Sequence, residues 1–175
     1  MQRVLPVLAL ALLCACGATT PPTPAAQASP SAVALTCTSS GDASASWAAP
    51  SSTSSPAVVS ASASGDKLQL TFVSGTPPFQ IARQTDAHFF NDPRGDAVNL
   101  AGSAGVRIAM QGFRGDMVNY AGSKTLTSNG PLLLQVASIG DFEGYVSWGV
   151  GLSGPGCANV TSSGSTLTFT FIAAP

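Results

Sequence analysis

The chain has 175 residues, of which only 9% are charged, and a formal net charge of −1. Without a basic surplus to hold phosphates, nucleic acid is excluded as an expected partner. There is one histidine, and two of the four cysteines fall within the first sixteen residues, which leaves too few ligands elsewhere for a His/Cys metal cluster, so neither metal nor cofactor is expected, and the apolar content predicts one domain with one core.

In chain order, Arg3 gives a positive start, and Val4 to Leu13 form an apolar stretch. A permanent membrane-spanning helix needs about 20 apolar residues, so this stretch is too short for one. It ends in Leu13-Cys14-Ala15-Cys16, which resembles the lipobox of bacterial lipoproteins: an aliphatic residue, a small residue before the cut, then cysteine. The resemblance implies cleavage before Cys16 and lipidation of Cys16. The domain would then be anchored to the extracytoplasmic face of a membrane in the bacterial cell envelope. Cys14 fits less well, because Leu13 before it is bulky; an ordinary secretory signal is the alternative.

Removing residues 1–15 takes away Arg3 and shifts the net charge to −2. It also leaves Cys37 and Cys157 as the other cysteines, which are expected to pair outside the cytoplasm. The loop they would close is long, which allows roughly 4–5 kcal/mol of stabilisation in the chain-entropy view. Residues 16–31 read as a lipidated cysteine and a Pro/Ala/Thr tether, with too few large apolar side chains to order itself. Residues 32–56 read as a loosely joined leading segment, and 57–175 as the folded domain.

From Ala57 onward the pattern has a period of two. Leu68, Leu70 and Phe72 alternate with polar residues, as do Val106, Ile108 and Met110, and later Leu167, Phe169 and Phe171. Tyr145 to Leu152 reads as a strand with Val146, Trp148 and Val150 on one face, and Leu132 to Val136 as a strand buried on both sides. Frequent turn signals (Ser64-Gly65-Asp66, Ser163-Gly164-Ser165) and no helical period predict an all-β domain, an antiparallel β-sandwich or a partly closed barrel.

Arg94-Gly95-Asp96-Ala97-Val98-Asn99-Leu100-Ala101-Gly102-Ser103 recurs as Arg114-Gly115-Asp116-Met117-Val118-Asn119-Tyr120-Ala121-Gly122-Ser123. Two copies do not make a solenoid. The preferred interpretation is two similar hairpin ends, with Arg-Gly-Asp in the turn; the sharper one is a pair of ligand contacts through Arg94 and Arg114, with Tyr120 nearby. His88, the only histidine, has no nucleophile elbow near it and is expected to be solvated or satisfied in the core. Asp141 and Glu143 would share one face of an extended chain, about 6.5–7 Å apart at their Cα atoms, which is compatible with glycosidase chemistry. The preferred alternative places a turn at Gly140-Asp141, with Glu143 opening the next strand.

The run Gly140-Asp141-Phe142-Glu143-Gly144-Tyr145-Val146-Ser147-Trp148-Gly149-Val150-Gly151 resembles the signature of the AMIN-like domain of bacterial envelope lipoproteins. Gly65-Asp66-Lys67-Leu68-Gln69-Leu70-Thr71-Phe72 resembles the opening strand of that family. Gly75-Thr76-Pro77-Pro78-Phe79-Gln80-Ile81 resembles its Gly-x-Pro-aromatic step, and Leu167 to Phe171 its closing strand. Gln69 and Thr71, Thr170 and the Cys37/Cys157 pair depart from the pattern. The resemblance spans residues 57–172 and implies a β-sandwich that binds rather than catalyses. A membrane-tethered module contacting peptidoglycan or another wall glycan is therefore expected, with Asp141, Glu143 and Tyr145 as candidate contacts alongside Phe142, Trp148 and Tyr120. The alternatives are a scaffolding domain for an envelope enzyme or transport complex and, remotely, a hydrolase using Asp141 and Glu143.

Overall fold

A computed structural model describes residues 57–73, 75–112 and 120–174, together with the backbone of residues 31–33. The described chain is all-β. Strands β2 (Val58–Ser64), β3 (Lys67–Phe72), β11 (Gly156–Ser163) and β12 (Thr166–Ala173) form one antiparallel sheet, in the order β1-β11-β12-β3-β2, where β1 is Ser31–Val33. Strands β4 (Phe79–Gln84), β7 (Ala104–Gln111), β8 (Thr125–Thr127), β9 (Leu133–Phe142) and β10 (Tyr145–Leu152) form the second, in the order β4-β7-β10-β9-β8. A two-stranded ribbon, β5 (His88–Phe90) with β6 (Ala97–Asn99), completes the fold. The two large sheets form a sandwich rather than a closed barrel.

Alternation explains why they stack. Leu68, Leu70 and Phe72 of β3 and Leu167, Phe169 and Phe171 of β12 bury one face of the first sheet. Phe79, Ile81, Val106, Ile108, Met110, Val146, Trp148 and Val150 bury the facing side of the second, and all of them join one core. Phe79 and Phe169 meet edge to face across it, with centroids 5.5 Å apart. Each such side chain contributes about 1.5–3 kcal/mol of burial. Trp148 lies in this core as expected, and its Nε1 is buried without a hydrogen-bond partner among the described residues, so packing holds the ring. The edge of Tyr120, 5.9 Å away between centroids, is part of that packing.

At one end the sheets are also tied by hydrogen bonds. Asp66, in the β2–β3 turn, accepts from the backbone amides of Leu132 (2.9 Å) and Leu133 (2.8 Å) through one carboxylate oxygen. The Gly65 amide donates to Asn129 Oδ1 at 2.9 Å. This turn therefore clamps the β8–β9 connection of the opposite sheet.

The second sheet is buried on both sides, and the reason lies in its glycines. Phe89 of the ribbon packs with Ala137 and Ile139 in a second, smaller core on the outer face, supported by Val98 and Leu100. A Cβ on Gly149 would sit 3.0 Å from the Phe89 ring and 3.2 Å from Ile139. A Cβ on Gly151 would strike the carbonyl of Ala101. Trp148-Gly149-Val150-Gly151-Leu152 is thus two patterns in one strand: large residues inward, and absent side chains outward where the ribbon lies. The double burial expected for Leu132 to Val136 is not found there: Leu133 and Val136 enter the main core, but Leu134 and Gln135 are only half-buried, and burial of the outer face comes further along β9, at Ala137 and Ile139 under the ribbon.

Candidate functional site

Beyond the ribbon, the outer face of the second sheet is open. Strand register defines what is exposed there. Gln80 pairs with Ala109, Ala109 with Ser147, Ser147 with Gly140, and Gly140 bridges to Asp92. These five positions form a straight row across the strands. At about 4.8 Å per strand the row is about 19 Å long. Its middle members, Ala109, Ser147 and Gly140, are small, so the row is a trough.

The neighbouring rows form its walls. On one side Gln111, Tyr145 and Phe142 lie in register, with both rings well exposed, Tyr145 at 52% and Phe142 at 43%. On the other side Ala82 pairs with Arg107 and Arg107 with Gly149, where Phe89 and the ribbon rise above the sheet. The hollow so formed is about 370 Å³ and is lined by Gln80, Asp92, Arg107, Phe142, Glu143, Tyr145 and Ser147, among others. A smaller hollow of about 120 Å³ continues it past Gln80, Ala109 and Tyr145 toward Pro78 and Gln111. A third, of about 250 Å³, adjoins at Asp92 and contains Arg94, Lys124 and Asp141. Arg107 is half-buried, donates to Ser147 Oγ at 3.4 Å, and forms no ion pair with any described residue.

No family model matches the chain, and no curated protein or solved structure matches it.

The structure assembles some of the expected site residues and separates others. Glu143 and Tyr145 line the same hollow. Asp141 does not join them: it lies in the adjoining hollow with Arg94 and Lys124. The turn is also displaced from its expected place. Gly140 and Asp141 are inside β9, and the two-residue loop is Glu143-Gly144, with φ of 49° and 81°. Phe142 pairs directly with Tyr145, the geometry of a type I′ hairpin. Glu143 therefore does not open β10, and the two carboxylates do not face one cleft.

Tyr120 is corrected outright. It is 6% exposed, belongs to the main core and donates its hydroxyl to the Ser123 carbonyl at 2.8 Å, so it is packing rather than a ligand contact. Burial raises its pKa above 10.0. Its counterpart in the first copy, Leu100, packs in the smaller core on the other side of the same sheet. The two copies of the repeat are thus not equivalent where both are described. Arg94 is exposed in the ribbon turn. Arg114, Cys16 and Cys37 lie outside the described residues, whereas Cys157 is buried on β11. His88 is exposed, bonded through Nδ1 to Asn99 and edge-on to Phe90. Gln80 and Arg107 were not selected from sequence. Their signal was only a polar residue on the outward phase of a strand, which most solvated faces share.

Among the described residues no group of three or more His, Cys, Asp or Glu could hold a metal ion, and no helix is long and apolar enough to cross a membrane.

Proposed function

We propose that this is a non-enzymatic, envelope-tethered binding module whose ligand, a wall glycan such as peptidoglycan, lies in the trough of the second sheet. The observation that carries it is the pairing of Tyr145 with Phe142, two exposed rings along one wall of a trough floored by small residues. Aromatic rings offer flat apolar surfaces to pyranose faces, while Gln80, Arg107, Glu143 and Asp92 offer donors and acceptors to hydroxyl and acetamido groups. The row, about 19 Å long at about 4.8 Å per strand, is long enough for a short run of sugars rather than a single ring. The resemblance to the AMIN-like domain points the same way, as a sandwich that binds.

The address belongs to this proposal too. Lipid on Cys16 would anchor the chain outside the cytoplasmic compartment, and Cys37 would bridge to Cys157. Val33 pairs with Val160 in β1–β11, and β11 is the strand that carries Cys157. Loss of radiolabelled palmitate incorporation in Cys16→Ala tests the anchor.

The decisive test is retention of the full chain, solubilised in mild detergent, on insoluble peptidoglycan sacculi, with Tyr145→Ala and Glu143→Gln beside it. Retention that soluble wall fragments compete away, and that folded Tyr145→Ala loses, is expected. Retention no greater than that of a control protein refutes the proposal. A second possibility, a protein partner adding a strand, is favoured by one observation: among the described strands β4 stands at the edge of the second sheet, next to β7. Binding to an envelope protein that survives Tyr145→Ala would favour it.

A further inference from the structure

We infer that the trough is built for a linear glycan bearing carboxylates, and that Arg107 is the residue that reads the acid; this rests on the glycan-binding proposal above. Arg107 projects from a central strand, β7, in the row that walls the trough on the ribbon side, where it is half-buried and lines the hollow. A half-buried guanidinium normally acquires a carboxylate partner, since its desolvation is otherwise uncompensated. Two carboxylates, Asp92 and Glu143, line the same hollow, yet neither comes into ion-pair contact with it. Its single bond among the described residues is the long one, 3.4 Å, to Ser147 Oγ. Most of the five guanidinium donors therefore remain available.

Position adds specificity. Arg107 pairs across strands with Gly149 and Ala82, so no side chain on either neighbouring strand stands between the guanidinium and the trough. Opposite it, across the small-residue row, is the ring of Tyr145. A sugar stacked on Tyr145 and Phe142 would present a ring substituent to Arg107, and a carboxylate there matches the planar fork in two parallel bonds. Asp92 and Glu143 are both exposed to water, where salt screens their repulsion; they serve hydroxyl and amide donors on the same ligand.

The test is titration calorimetry of the full chain in mild detergent against three tetrasaccharides: neutral chitotetraose, tetragalacturonate, and a peptide-free wall tetrasaccharide carrying lactyl carboxylates. The acidic ligands are expected to bind at least tenfold more tightly than chitotetraose. That preference should disappear in Arg107→Gln, with the acidic-to-neutral affinity ratio falling to within about twofold of one, and Tyr145→Ala should weaken all three. Tightening by only one acid identifies its source, uronic acid or lactyl ether, and supports the inference. Methyl-esterified tetragalacturonate should bind like chitotetraose, which keeps the test valid if Arg107→Gln does not fold. Equal affinity for all three overturns the role of Arg107 but leaves glycan binding standing. Binding of none overturns both.

Discussion

Replacing Gly149 with alanine places a Cβ 3.0–3.2 Å from Phe89 and Ile139, contacts too short to persist. Overpacking of this kind costs about 1–3 kcal/mol. Phe89→Ala should cost about 3–5 kcal/mol, because Phe89 is 2% exposed and holds the second core together. In the double variant the new methyl meets the space left by the ring, so the overpacking against Phe89 is relieved and Ile139 can give way into the same space. The pair should then be no worse than Phe89→Ala alone, a coupling of about 1–3 kcal/mol. For a domain of this size 1 kcal/mol moves the midpoint by roughly 4 °C, well within calorimetric resolution. Gly154, where an added Cβ would meet nothing within 4 Å, is the control and should tolerate alanine. Strict additivity of Gly149→Ala and Phe89→Ala would show that the ribbon does not lie on β10, and the ribbon-side wall of the trough would be lost with it.

Asp66→Ala should lose about 2–5 kcal/mol by urea denaturation, since two amides at buried residues lose their acceptor; Asp66→Asn, which keeps an acceptor oxygen, should lose less than half of that. Glu143→Asn should stabilise the fold by about 0.5–1 kcal/mol, because asparagine tolerates the left-handed φ of 49° better than glutamate. The same variant should reduce retention on sacculi, as expected where strain is kept at a working position. Tyr120 has a pKa raised by burial, so its folded form holds the proton longer than the unfolded chain. Its contribution is fully present below pH 10 and is lost as pH rises past its folded pKa. Denaturation at pH 9 and 11 should show a smaller drop in Tyr120→Phe than in the parent chain.

The sandwich was legible wherever one face of a strand is buried, because alternation then prints the core directly: Leu68/Leu70/Phe72 and Leu167/Phe169/Phe171 need no other signal. The ribbon was legible only in part: Arg94-Gly95-Asp96 does lie in a hairpin turn with the short strand Ala97–Asn99 after it, as expected for the first copy of the repeat, but three residues offer too few periods to mark β5 or to show that the hairpin lies on β10. Without the ribbon, Gly149 and Gly151 had no visible purpose. The Glu143-Gly144 turn was hidden because glutamate is not a residue that advertises positive φ, while Gly140 is a conventional breaker that here sits within β9 against Asp92. Tyr120 follows no periodic run, so its destination depended on tertiary contacts alone. Of the candidate site, Glu143 and Tyr145 were legible through the family-like run. Arg107 and Gln80 join them only through the cross-strand register, a relation between residues far apart in the chain.

The central claim is that ligand lies across β4, β7, β10 and the end of β9 on the outer face of the second sheet. Amide chemical-shift mapping of the isotope-labelled full chain, titrated with solubilised wall glycan, tests it most directly. Perturbations should trace the row Gln80, Ala109, Ser147, Gly140 and Asp92, with Tyr145 and Phe142 beside it, and should leave β12 and β3 unmoved. Shifts confined to the first sheet or to the β4 edge, or none at saturating glycan, would contradict it.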